Sequence, residues 1–127
     1  MELVENSYIY WEFIRDLRNM DGIREGFVKQ NIITRTQHEE FMKKNSIFFW
    51  ICLDNTAPIG YIGIIDNDIR VATHPDYQGL GVGSFMLNKA IKQNPQAQAK
   101  VKIDNKASLR LFEKNGFVKK YYLLEKQ

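Results

Sequence analysis

The stretch His74-Pro75-Asp76-Tyr77-Gln78-Gly79-Leu80-Gly81-Val82-Gly83-Ser84 constrains this chain more than any other. An apolar run ahead of it reads as a strand. Pro75 breaks that strand, three glycines alternate with other residues, and an apolar-faced helix pattern follows. Alternating glycines leave main-chain amides uncovered, and the first turn of the helix adds unpaired N–H groups of its own. With the helix dipole favouring negative charge, the segment suits phosphate oxygens. Glycine at 81 and 83 also lets a ligand approach the main chain closely. Two well-known phosphate patterns do not fit. A P-loop needs Gly-Lys-Ser/Thr, and Gly83-Ser84 offers no such lysine. The dinucleotide fingerprint needs a glycine where Ser84 stands, and a βαβ start where this chain has a meander. On the glycines alone, a purely structural turn stays open.

The rest of the chain predicts an α+β domain. Tyr10, Phe13, Ile14 and Leu17 fall on one helical face, with Asn6 or Ser7 to cap it and Asp21-Gly22 to end it. Thr36-Gln37-His38-Glu39 spells a capping box for a second helix closing near Asn45. Strands are predicted over Ile47–Leu53, Ile59–Ile65 and Ile69–Thr73, the last two joined by the tight turn Asp66-Asn67. Helices follow over Gly79–Gln93 and after Asp104 or Asn105, the latter stopped by Asn115-Gly116; Ala99–Ile103 and Phe117–Leu124 read as strands. The expected order, βααβββαβαβ, gives a mixed, mostly antiparallel central sheet flanked by helices. No repeat or linker divides residues 1–127, so one domain is expected.

Composition narrows the function classes. No apolar run approaches the ~18 residues of a membrane helix, so no membrane partner is expected. The lone cysteine, Cys52, excludes an internal disulfide framework and suits a reducing, cytoplasmic setting; with only His38 and His74 beside it, no metal site is expected. A net charge of +3 is too small to imply nucleic acid. Its distribution is uneven: residues 1–88 hold 8 Lys/Arg and 12 Asp/Glu (net −4), while residues 89–127 hold 10 and 3 (net +7). That basic third either faces a phosphorylated ligand or forms a solvated surface.

Gln78-Gly79-Leu80-Gly81-Val82-Gly83 resembles the Q/R-x-x-G-x-G/A acyl-CoA motif of the GCN5-related N-acetyltransferases, with His74-Pro75-Asp76-Tyr77 as its usual lead-in. Asn105 through Phe117 resembles the family's second signature, in which an Asn precedes a helix ending in Gly-Phe. The resemblance covers residues 47–120 well. It implies the acyl-CoA N-acyltransferase fold, here with a shortened C-terminus, and transfer of acetyl from acetyl-CoA to an amine. A looser resemblance of Leu17-Arg18-Asn19, Arg24, Phe27, Ile33 and His38-Glu39-Glu40-Phe41 points to members that acetylate nucleotide-linked amino sugars.

The resemblance assigns roles to residues. Val71 and Thr73 offer main-chain groups to the pantetheine arm, and an N–H near Ala72 polarises the thioester carbonyl. Gln78, Gly79, Gly81, Val82, Gly83 and Ser84 hold the pyrophosphate, and Asn105 contacts the pantetheine. Arg18 and His38 are acceptor-site candidates. Asp68 is the candidate general base, although Asp66-Asn67-Asp68 is also plain turn chemistry. Phe112 stands where many relatives have a tyrosine that protonates the leaving thiolate, which leaves Tyr121, Tyr122 or water for that task. The short tail invites a second subunit, a homodimer, to complete the acceptor site. An acceptor at a peptide or protein N-terminus, and a non-catalytic CoA-binding regulatory domain, are the competing readings.

Overall fold

The structure, a computed structural model, describes residues 1–127. Four strands form one antiparallel sheet in sequence order: β1 (Glu2–Glu5), β2 (Phe49–Asp54), β3 (Ala57–Ile65) and β4 (Asp68–Thr73). Helices α1 (Trp11–Asn19) and α2 (Arg35–Asn45) cover one face, and α3 (Val82–Gln93) with α4 (Lys106–Lys114) covers the other. Both faces are therefore dry, which is why β3 reads as a nearly unbroken apolar run instead of an alternating one. Ile62 and Ile64 pack toward Met86 and Leu87 of α3, while Tyr61 packs toward Ile14 and Leu17 of α1. Burying this many large apolar side chains, at about 1.5–3 kcal/mol each, is what holds the layers together.

Turn chemistry sets the register. Asp66 and Asn67 both take left-handed φ (51° and 63°), the two-residue turn whose twist matches paired antiparallel strands. The β2–β3 turn is shorter than the sequence suggests. Asn55 and Thr56 alone make it, and Pro58 enters β3 opposite Leu53 at a register shift. Proline has no N–H for the ladder, so the irregularity falls there.

Several expectations need correction. The capping box of α2 is Thr34…Gln37, two residues earlier than Thr36…Glu39: Thr34 Oγ1 accepts from the Gln37 amide and Gln37 Oε1 accepts from the Thr34 amide. The reason is upstream, where the Asn19 side-chain amide clamps both main-chain groups of Ile33 and delivers the chain into the helix at Thr34. Residues 46–48 form a 3-10 turn, so β2 starts at Phe49.

The segment Ala99–Ile103 is not a strand. A single parallel bridge joins Gln98 to Asp68, and the chain then leaves β4. Lys102 Nζ donates to the Glu25 carbonyl and Asn105 Nδ2 to that of Gly26, which pulls the segment toward the turn at Arg24–Gly26 and leaves Ile103 96% exposed. Phe117–Leu124 is not a strand either: the segment pairs with no strand of the sheet and is exposed beyond Phe117. The Asn115-Gly116 stop forms as expected: Gly116 takes φ 94°, and the Phe117 amide returns to the Phe112 carbonyl.

Candidate active site

β4 runs through His74 and a 3-10 turn at Pro75–Tyr77 into the glycine segment. His74 Nδ1 accepts from the Asp76 amide, and Gln78 Nε2 donates to the Thr73 carbonyl, so both side chains hold the shape of the loop. Gly79 and Gly81 sit at φ 79° and 82°, a conformation L side chains rarely adopt, and a Cβ on either would meet nothing but open space. From Gly79 to Ser84 no amide has a main-chain partner; the first helical bond is from Phe85 to the Gly81 carbonyl. Six consecutive unpaired donors leading into a twelve-residue helix are an arrangement that suits an anion, a candidate cradle. The third glycine has a second, packing role. A Cβ on Gly83 would lie 3.2 Å from both methyls of Leu111, so its bareness brings α3 against α4. The Ser84 hydroxyl accepts from Asn115 Nδ2 across the same seam, leaving the Ser84 amide to the cradle.

β4 is the edge of the sheet. The Ile69 amide bonds outward to Gln98, the His74 amide bonds inward to Ile59, and pairing with β3 is regular throughout. Alternation then turns the main-chain groups of Val71 and Thr73 outward and those of Ala72 inward, toward Tyr61. Val71 thus leaves both main-chain groups, and Thr73 its amide, on the outward edge, the Thr73 carbonyl being held by Gln78. The amide of Ala72 is engaged in the sheet, so the outward donors at this level are those of Val71 and Thr73. The divergent segment 99–105 and the Arg24–Gly26 turn border the gap beside this edge.

The other candidates fall in several places. Asn105 Oδ1 accepts from the Ser108 amide while its Nδ2 donates to Gly26, so its amide both caps α4 and fastens the gap's far wall. Asp68 opens β4 on the α1–α2 side, with Oδ2 3.7 Å from Arg70 Nε. Four residues of strand, ~13 Å, separate it from Ala72, so its carboxylate would reach an amine held there only through water. Tyr121 and Tyr122 lie on the tail, 87% and 90% exposed. Phe112 is buried edge-on to Phe117, with ring centroids 5.2 Å apart, closing the end of α4.

His38 is 5% exposed, and its Nε2 lies 2.7 Å from the Trp11 carbonyl; burial lowers its pKa, outweighing the opposite pull of that bond. It lies under a shallow cavity of ≈ 360 Å³ at the start of α1, with Glu12, Arg35 and Glu39 around it. Arg18 lies seven residues on, ~10 Å along α1, so the structure does not bring the two acceptor-site candidates together. The Arg18 guanidinium stacks on Phe27 at 4.0 Å, with Nη2 donating to the Lys29 carbonyl. Sequence reasoning missed Tyr61 and Arg70. Both project from the sheet toward α1 and α2, and only strand register reveals that they share a face with Ala72.

A family model, Acetyltransferase (GNAT) family, matches residues 8–117, and the chain belongs to that family. Among curated proteins it is similar to an uncharacterized N-acetyltransferase of Methanocaldococcus jannaschii, 23% identical over 116 residues, covering 78% of this chain. The chain spans about half of that relative's length, 51%. Among solved structures, spermidine N-acetyltransferase from Vibrio cholerae, in complex with CoA and spermine, shares the fold at TM-score 0.83 and 20% identity, covering 98% of this chain and 85% of that one. Ribosomal-protein-alanine N-acetyltransferase from Brucella melitensis superposes at TM-score 0.73 and 14% identity, covering 91% and 83%.

Proposed function

We propose that this protein transfers the acetyl group of acetyl-CoA to the primary amine of a small acceptor by direct attack, with a nucleotide-linked amino sugar as the acceptor type its N-terminal pattern fits. The observation that carries this reading is the run of unpaired amides from Gly79 to Ser84, placed directly after an open strand edge. The cradle suits a pyrophosphate, and the edge at Val71 and Thr73 suits an amide-bearing pantetheine arm. Acetyl-CoA supplies the activated acyl group; the chain aligns it, offers an outward amide to the thioester oxygen and admits the amine from the α1–α2 side. Asp68 takes the amine's proton through water. Residues 1–127 act as one domain, and the single buried thiol, Cys52, supports a reducing cytoplasm.

The buried ring of Phe112 favours one competing reading, a CoA-binding module without turnover, because no hydroxyl stands where the thiolate would leave. Tyr121 and Tyr122 serve as acids only if the tail, or a second copy completing the acceptor site, brings them to the gap. Release of free CoA thiol from acetyl-CoA in the presence of sugar, peptide and small-amine acceptors decides between the readings. Turnover on any of them supports transfer. CoA-induced thermal stabilisation with no thiol release across the panel would establish the module instead.

A further inference from the structure

On the sheet face opposite α3, three arginines lie within electrostatic reach of one another near the edge of β4. Arg18 comes from α1, Arg24 from the turn that borders the gap, and Arg70 from β4 itself. Two of them have carboxylate partners: Arg70 meets Asp68, and Arg24 meets Asp21 and Glu25. Arg18 has none, and its Nη1 is buried with no hydrogen-bond partner. Burial above all, with the neighbouring Arg24 and Arg70, depresses the Arg18 pKa. Tyr61, within the electrostatic reach of Arg18 and Arg70, stands directly across from Ala72. Leaving a buried guanidinium donor unsatisfied costs more than an ordinary lost hydrogen bond, so the fold maintains it at the expense of stability.

We propose that Arg18, supported by Arg24 and Arg70, receives an anionic group of the acceptor, a carboxylate or a phosphate ester, and so holds the acceptor's amine at the Val71–Thr73 edge. The anion replaces the Lys29 carbonyl on Arg18, since a charge-assisted fork outcompetes a neutral acceptor. A polycationic amine is disfavoured at the same place by like charge. This inference rests on the acetyl-transfer reading for its geometry, but its binding component can be measured without turnover.

The test compares kcat/KM for paired acceptors differing in one anionic group, glucosamine 6-phosphate against glucosamine and β-alanine against β-alaninamide, with spermidine as the cationic arm. The phosphate and carboxylate pairs separate the two anion sources. The anionic member of at least one pair should be preferred roughly 10- to 100-fold, Arg18→Met should bring that ratio near one, and Arg18→Lys should restore part of it. A ratio that survives in Arg18→Met, or a preference for spermidine, overturns the proposal. If no amine is acetylated, the acetyl-transfer reading fails, and inorganic phosphate still decides the site. With CoA saturating the cradle and ionic strength held by chloride, phosphate should raise the Tm of the parent protein and not that of Arg18→Met. Equal shifts in both, or none in either, would overturn it. The CoA-induced Tm shift of each variant reports that it is folded.

Discussion

The two ends of the site are built on opposite principles. The cradle at Gly79–Ser84 presents main chain: bare amides, two left-handed glycines, and side chains of Gln78 and His74 turned inward to brace the loop. The proposed acceptor side presents side chains, with Arg18, Arg70, Tyr61 and Asp68 gathered from one helix and two strands. A backbone site recognises what every acetyl-CoA carries and tolerates little change of geometry. A side-chain site sets its own specificity residue by residue.

Four substitutions test the contrast. The largest effect is expected from Gly81→Asp, which forces a β-carbon into φ 82° and puts an anion at the cradle: CoA affinity should fall at least ~100-fold by calorimetry while circular dichroism shows an intact fold. Unchanged affinity would show the cradle to be misplaced. Next, Asp68→Asn should lower kcat about 10- to 100-fold with CoA affinity unaltered, and an unaffected pH–rate profile would remove Asp68 as base. Gly83→Val should act on the scaffold, because its branches meet the Leu111 methyls; a loss of about 1–3 kcal/mol in urea unfolding is expected.

The smallest effect concerns pH. The folded pKa of His38 lies below the usual 6.5, so the unfolded chain binds its proton first as pH falls. Stability should therefore decline below pH ~6.5, by up to about 1.4 kcal/mol per pH unit, until the folded pKa is reached. In His38→Gln that part of the decline should vanish; an unchanged slope would assign the acid sensitivity elsewhere.

Legibility followed the same division. Gly79, Gly81 and the Asp66-Asn67 turn announce themselves because only certain residues adopt positive φ, so local sequence alone discloses the cradle and the hairpin. Asn115-Gly116-Phe117 is legible for the same reason. The capping box of α2 was misread because two boxes overlap, and a clamp from Asn19, fourteen residues before Ile33, selects between them. Ala99–Ile103 alternates like a strand, yet Lys102 and Asn105 reach the Glu25–Gly26 turn and draw it from the sheet. The packing of Gly83 against Leu111, twenty-eight residues on, was not legible, because nothing in its neighbourhood foretells it. The proposed arginine site was hidden more deeply, since Arg18 and Arg24 resemble ordinary surface charge until strand register sets Tyr61 and Arg70 beside Ala72.

The uncovered outer edge of β4 has one more consequence. Hydrogen-bonding groups at Val71 and Thr73 can be met by any extended chain, including one from another molecule of the same protein. If a pantetheine arm lies there, as proposed, it would act as a removable fifth strand, and protein stripped of acetyl-CoA should aggregate more readily than protein kept supplied with it. Purification yield would then track the supply of thioester in the buffer.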